Sequence, residues 1–113
     1  MLVGILFDIH GHLGKGFSEI VYKDALEYEL TRLHIPFVRE KEYQVKYKDV
    51  ILKHRFFADF VVFDKIILEV KSIKDLTDEH VSQTINYLKV SEQKLAILVN
   101  FARSKLDYKR LVY

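Results

Sequence analysis

Residues 55–72, RFFADFVVFDKIILEVKS, decide the fold. Two apolar runs joined by residues 64–65 are typical of two β-strands connected by a tight turn. Strands that are apolar on both faces are normally covered on both sides, so we expect a layer above and a layer below the sheet. Asp59 interrupts the first strand, and Glu69 and Lys71 interrupt the second. Because burying a charge is costly unless it is paired or holds a metal, these residues indicate a functional site.

The register of this hairpin decides whether the three polar side chains meet. Glu69 and Lys71 are two residues apart and therefore share a face of a regular strand. A two-residue turn would place Asp59 opposite Val70, facing away from Glu69. A three-residue connection (residues 64–66) would place Asp59 opposite Lys71, on the face of Glu69. We predict this second register, because the first buries an isolated acid on each face of the sheet.

Two carboxylates and an amine on one face suit phosphodiester chemistry. The carboxylates of Asp59 and Glu69 favour a hard cation such as Mg²⁺, which binds oxygen and usually keeps several waters. Such an ion polarises a phosphoryl oxygen and lowers the pKa of a bound water. Lys71 could orient that water or stabilise charge on the phosphate. The alternative is a structural ion pair between Lys71 and one of the acids, and the hairpin alone does not separate the two interpretations.

The rest of the chain predicts helices around this hairpin. In order, the predicted elements are helices over residues 3–13 and 17–33, strands over 37–46, 50–63 and 66–71, a helix over 77–90, a strand over 95–101 and a weak edge strand over 108–113. The strand–helix–strand unit at the end implies a crossover between parallel neighbours. The fold class is therefore α/β in the broad sense, a mixed α+β sheet flanked by helices with the order ααβββαβ(β).

The helices are predicted to bury apolar stripes at helical spacing. The stripes are Val3, Leu6, Phe7, His10 and Leu13 in the first helix, Ile20, Ala25 or Leu26, Leu30 and Leu33 in the second, and Val81, Ile85 and Leu88 in the third. His10, on the apolar face of the first helix, is either a hydrogen-bonded core histidine or a residue that supports a site.

Three further polar residues also allow two interpretations. Glu19, in the first turn of the second helix, is either an acid stabilised by the helix dipole or a site residue. It shares a helix face with Tyr22 and Lys23. Lys53 and Arg55, in the long strand before the hairpin turn, are either phosphate contacts or a solvated strand end.

The composition of the 113 residues is that of one globular domain spanning the whole chain, 1–113. The net charge is only +2, so contact with nucleic acid must come from a local patch. The chain has no cysteine, which excludes disulfides and thiolate zinc sites and agrees with a cytoplasmic location. No apolar run approaches the roughly 18 residues of a membrane span, and we expect no membrane association.

Four motifs in order make the chain resemble the GxxExxY proteins, a branch of the PD-(D/E)XK nuclease superfamily. They are residues 16–22 (GFSEIVY), Asp59 followed by residues 69–71 (EVK), residues 83–88 (QTINYL) and residues 98–101 (LVNF). The resemblance extends from about Ile9 to Phe101. Each motif is unspecific alone, and their combination in this order is specific.

This resemblance implies a restriction-endonuclease-like core with Mg²⁺, or Mn²⁺ in its place, at the edge of the sheet. The implied metal ligands are Asp59, Glu69, the backbone carbonyl of Val70 and, directly or through water, Glu19. Lys71 would be the catalytic lysine, and Gln83 would line the site. The implied supporting residues are Tyr22, Tyr87 and His10, with Lys53 and Arg55 as contacts to nucleic acid.

Two functions follow as hypotheses. The first is a Mg²⁺-dependent nuclease that acts on DNA rather than RNA. The second is a catalytically silent nuclease-fold module that binds nucleic acid or a protein partner, which the small size of the chain favours. A homodimer agrees with either hypothesis, because a core of this size has little surface with which to hold a duplex.

Overall fold

The computed structural model describes residues 1–113, and its elements follow the predicted order. They are α1 (Leu2–Leu13), α2 (Glu19–Arg32), β1 (Phe37–Tyr47), β2 (Val50–Val62), β3 (Ile66–Lys71), α3 (Asp78–Ser91), β4 (Leu95–Asn100) and β5 (Asp107–Val112). The weak edge strand predicted at the end of the chain is therefore present as β5. None of the three helices is long and apolar enough to cross a membrane.

The five strands form one mixed sheet in the order β1-β2-β3-β4-β5. β3 and β4 are parallel and are joined by α3, which confirms the predicted crossover. The other neighbouring pairs are antiparallel. β2 pairs with β3 only from Phe60 to Val62, so the outer half of the β1–β2 hairpin extends beyond β3. The mixed α+β fold class is confirmed.

Helices cover both faces of the sheet, which explains why its central strands are apolar on both sides. Leu68 and Val70 of β3 belong to the larger core, which they share with α1 and α2. Ile67, the residue before Leu68, points to the opposite face and packs in a smaller core with Leu88 of α3. The alternation of side chains along β3 thus assigns one face to the first two helices and the other face to the third.

The predicted stripes of the first two helices are wrong in part. α1 buries Leu2, Ile5, Leu6 and Ile9, whereas Phe7 is half exposed. α1 packs against both α2 and the sheet, which rotates its buried face away from the predicted stripe. In α2 the buried residues are Tyr22, Leu26 and Leu30, whereas Ile20 and Leu33 are exposed. α2 begins at Glu19 rather than Phe17, because Gly16 has a φ of 110° and Ser18 is extended.

The predicted pairing of Asp59 with Lys71 is also wrong. β2 pairs with β3 at Phe60↔Leu68, Val61↔Ile67 and Val62↔Ile66, and the connection is formed by residues 63–65. The turn closes one residue earlier because the amide of Lys65 donates to the carbonyl of Val62, with φ positive at both central residues. Continuing this register places Asp59 opposite Glu69. Since the connection still has three residues, as predicted, Asp59 and Glu69 lie on the same face of the sheet and meet.

Candidate active site

Asp59 and Glu69 lie where the backbone pairing of β2 with β3 ends. The amide of Asp59 donates to Oε2 of Glu69 at 2.7 Å, and the amide of Val70 donates to Oδ2 of Asp59 at 2.8 Å. Each carboxylate therefore accepts a backbone hydrogen bond that the opposite strand would accept in a continuous ladder. The two acids are held by the sheet itself rather than by flexible loops.

Glu69 is buried, with 3% of its surface exposed, and forms no ion pair within 4 Å. The pKa of Glu69 is raised from its ordinary 4.5 to about 8, first because burial penalises the charged carboxylate and second because of the like charge of Asp59. The hydrogen bond from the amide of Asp59, and the charges of Lys71 and Lys23, act in the opposite direction. The neutral, protonated form of Glu69 is therefore favoured in the metal-free site.

Lys23 of α2 is a site residue that the sequence analysis did not identify. Its Nζ lies 2.8 Å from Oδ1 of Asp59 and 3.2 Å from Oε1 of Glu40 on β1. Desolvation lowers the pKa of Lys23, but hydrogen bonds and attraction from Asp59 and Glu40 outweigh it and raise the pKa overall. Its position one helical turn after Glu19, on the same face of the helix, is visible in the sequence but does not indicate contact with Asp59.

Lys71 and Tyr87 complete the surroundings of the two acids. Lys71 is the last residue of β3, half-buried, and its charge lowers the pKa of Glu69. Tyr87 of α3 is half-buried, and its pKa is raised by burial and then by the charges of Glu69 and Asp59. Tyr87 therefore approaches the site from the face of α3, whereas Lys23 approaches from α2.

A groove of about 320 Å³ brings together three of the sequence-predicted residues, Arg55, Gln83 and Tyr87. Its lining is formed by His54, Arg55, Phe56, Phe57, Gln83, Asn86 and Tyr87. Gln83 is exposed there, one turn of α3 before Tyr87. The guanidinium of Arg55 donates to the backbone carbonyls of Leu52 and Lys53 on its own strand. The groove contains no acidic side chain, so an anionic ligand meets no like charge among its lining residues.

Three other predicted residues make no polar contact with Asp59 or Glu69. Nε2 of His10 lies 2.8 Å from the carbonyl of Arg103, which corresponds to the interpretation as a hydrogen-bonded histidine. Lys53 is exposed on the projecting hairpin. Glu19 is half-buried at the start of α2. The segment before Glu19 is nevertheless tied to the site, because the hydroxyl of Ser72 donates to the carbonyl of Phe17 at 2.7 Å.

Tyr22 holds this same segment from inside the core. Its hydroxyl donates to the carbonyl of Gly14 at 2.6 Å and accepts a long hydrogen bond from the amide of Phe17 at 3.4 Å. Its ring is fully buried and stacks on Phe101 with a centroid distance of 4.4 Å. The tyrosine of the sequence motif therefore ties the segment from Gly14 to Phe17 to the first turn of α2.

Replacing Tyr22 with phenylalanine should lower the free energy of unfolding by about 1 kcal/mol, because the stack is kept but both hydrogen bonds are lost. Thermal denaturation should show a decrease in Tm of about 5 °C. Tyr28→Phe is the matched control, because Tyr28 lies on the same helix and is exposed. A Tm equal to that of the control would show that the hydroxyl does not stabilise this segment.

The end of β3 is fixed by Asn100, which is fully buried at the end of β4. Its Oδ1 accepts hydrogen bonds from the amides of Ile73 at 3.0 Å and Ala102 at 3.2 Å, and its Nδ2 donates to the carbonyl of Ile73 at 2.8 Å. The amide of Phe101 also donates to the carbonyl of Lys71 at 2.9 Å. Asn100 thus secures the chain immediately after Lys71.

Asn100→Ala should lower the free energy of unfolding by about 2 kcal/mol, because the amide and carbonyl of the half-buried Ile73 lose their partners. Urea denaturation should show a lower midpoint with an unchanged slope. Asn86→Ala, at an exposed position of α3, is the control and should not destabilise the protein. Equal stability of the two variants would contradict this role of Asn100.

The donor set suits a hard divalent cation. No group of three or more His, Cys, Asp or Glu side chains comes together in residues 1–113 to form a metal cage. Mg²⁺ does not require one, since it is commonly held by one or two carboxylates and keeps several waters. Asp59 and Glu69 supply two carboxylates, of which Asp59 pairs with Lys23 and Glu69 has no cation within ion-pair distance.

The chain matches a family model described as the PD-(D/E)XK nuclease superfamily over residues 1–111. It therefore belongs to the PD-(D/E)XK nuclease superfamily. Nucleases of this superfamily generally use divalent metals. Among proteins with curated annotation, none matches this sequence significantly.

The fold is similar to that of a solved crystal structure, the protein SSO0001. The TM-score is 0.66 at 18% sequence identity, and the match covers 81% of this chain and 48% of SSO0001. The chain thus spans about half the length of that protein. At this identity the similarity shows the fold, a restriction-endonuclease-like arrangement of a mixed sheet flanked by helices.

Proposed function

We propose that this protein is a Mg²⁺-dependent nuclease that hydrolyses phosphodiester bonds of DNA, and that residues 1–113 form one catalytic domain of the GxxExxY branch. The proposal depends mainly on one observation, the reciprocal pair of hydrogen bonds that holds Asp59 and Glu69 together where β2 and β3 separate. Two acids fixed in this way, with a lysine two residues after the second, match the superfamily motif at positions 59, 69 and 71.

Asp59, Glu69 and the carbonyl of Val70 would hold the metal, with Glu19 as a further ligand, direct or through water. When bound, Mg²⁺ would supply a polarised phosphoryl oxygen and a water of lowered pKa. Glu19 makes no direct contact with the acids. Its inclusion is supported by the hydrogen bond from Ser72 to Phe17, which fixes the start of α2 to the residue that follows Lys71.

The remaining side chains would bind and orient the substrate. Lys71, at the end of β3, would position the attacking water or neutralise charge that develops on the phosphate. Gln83 and Arg55, which line the groove beside Tyr87, would contact the nucleic-acid strand on either side of the reacting phosphate. Lys53, on the projecting hairpin, would add a contact to a phosphate further along the strand.

The test is a cleavage assay on chelator-treated protein with labelled single-stranded DNA, duplex DNA and RNA. We expect cleavage after addition of Mg²⁺ or Mn²⁺, none in chelator, and a higher rate on DNA than on RNA. A folded protein that cleaves none of the substrates with either metal would contradict the proposed activity.

A catalytically silent module is the second candidate, and the contact between Lys23 and Asp59 favours it, because an ammonium already occupies one oxygen of the carboxylate pair. This module would bind nucleic acid without using a metal. Such a module should show a Tm that rises on addition of DNA but not of Mg²⁺ or Mn²⁺, because a ligand raises the Tm only if it binds the folded protein.

A further inference from the structure

Lys23 occupies the position that a metal on Asp59 would need. Its Nζ lies 2.8 Å from Oδ1 of Asp59, and both side chains are only 14% exposed. The second oxygen of Asp59 is already bound by the amide of Val70. Oδ1 is therefore the oxygen of Asp59 that accepts no backbone hydrogen bond, and in the metal-free chain it is paired with Lys23.

We propose that Lys23 is a displaceable internal counter-cation, which neutralises Asp59 in the metal-free protein and moves fully onto Glu40 when a divalent ion binds. This inference rests on the proposed metal-dependent function. An ammonium and a divalent ion on one carboxylate oxygen repel each other strongly in a site shielded from water. Binding of the metal therefore requires the ammonium to leave Asp59.

Glu40 is placed to receive the ammonium. Its Oε1 already lies 3.2 Å from Nζ of Lys23, so the amine can stay paired while it leaves Asp59. Glu40 stands opposite Asp59 between the paired positions Arg39↔Phe60 and Lys41↔Ala58, and its φ of 54° departs from regular strand geometry. Its side chain is 50% exposed, and therefore free to follow the amine toward solvent. Lys23 and Glu40 are thus positioning residues that set metal affinity without contacting the substrate.

Calorimetric titration of the chelator-treated full chain with Mn²⁺ tests this. Lys23→Met removes the competitor and should tighten Mn²⁺ binding about tenfold. Glu40→Gln removes the acceptor of the displaced amine and should weaken binding several-fold in the wild-type background. The double variant Lys23→Met/Glu40→Gln should bind Mn²⁺ as tightly as Lys23→Met, because no amine remains that Glu40 could accept. Lys41→Met, the neighbouring lysine on β1, is the control for a general loss of positive charge and should change the affinity little.

The outcomes separate the inference from the function on which it rests. Tighter binding by Lys23→Met, with the Glu40 effect abolished in the double variant, supports the exchange. Mn²⁺ binding that is equal in wild type and Lys23→Met overturns it and leaves the metal site intact. An undiminished Glu40 effect in the double variant also overturns it. Failure of every variant and of wild type to bind Mn²⁺ overturns both proposals. If Lys23→Met does not fold, Lys23→Gln, which can still hydrogen-bond to Asp59, replaces it with the same expectation.

Discussion

Lys71→Met is expected to lower the rate of metal-dependent cleavage by a factor of about 10²–10³, the size of effect seen when one group that stabilises developing charge is removed. Lys71 follows Glu69 by two residues on the same strand face, and its charge already acts on Glu69. Methionine keeps most of the length of the side chain and removes only the amine. Because Lys71 is half-buried and forms no ion pair within 4 Å, the fold should be retained.

The matched control is Lys74→Met, which removes the same charge from an exposed lysine just beyond β3. Single-turnover cleavage of labelled DNA in saturating Mg²⁺ should separate the two variants, with the control close to wild type. Equal rates for Lys71→Met and wild type would exclude a catalytic role for this amine. Equal loss in both variants would indicate that positive charge near the end of β3, rather than Lys71 itself, promotes binding of the DNA.

Glu69→Gln should make the metal-free protein more stable above pH 8. In the unfolded chain Glu69 titrates near 4.5, whereas in the folded protein its pKa is about 8. Below pH 4.5 the group is protonated in both states. Between pH 4.5 and 8 only the unfolded chain releases the proton, so the contribution of Glu69 to stability is lost as the pH rises. Glutamine does not titrate. The free energy of unfolding of Glu69→Gln, relative to wild type, should therefore increase by about 2–5 kcal/mol from pH 5 to pH 8.5.

Urea denaturation in chelator at both pH values measures this difference. Glu92→Gln, at an exposed position after α3, is the control and should follow wild type at each pH. Saturating Mg²⁺ should stabilise wild type at pH 8.5 and reduce its difference in stability from Glu69→Gln, since the ion would pair with the ionised Glu69. Parallel pH profiles for Glu69→Gln and wild type would show that Glu69 is charged in the folded protein at neutral pH.

The elements were predictable because their signals are local. The helical spacing of Leu88 with its neighbours and the capping position of Thr77 define α3, whose N-cap is Thr77 as predicted. The continuous apolar runs define β3 and β4, since a strand covered on both faces needs no alternation. The parallel crossover follows from the length of chain between these strands.

The register and the role of Lys23 were not predictable, because both depend on tertiary packing. The turn at residues 63–65 uses positive φ at Phe63 and Asp64, which neither residue signals as a glycine would. Lys23 appeared only as a neighbour of Glu19 on one helix face. Which residue of α2 reaches Asp59 is set by how the helix lies across the sheet, and no spacing within α2 encodes that geometry.

The most direct test of the proposed metal site is a crystal structure of the protein soaked with Mn²⁺, with the ion located by its anomalous scattering. The proposal predicts one strong peak between Asp59 and Glu69, bound by a carboxylate oxygen of each, with Nζ of Lys23 moved from Asp59 to Glu40. A structure in which Lys23 remains on Asp59 and Mn²⁺ binds elsewhere, or not at all, would contradict it.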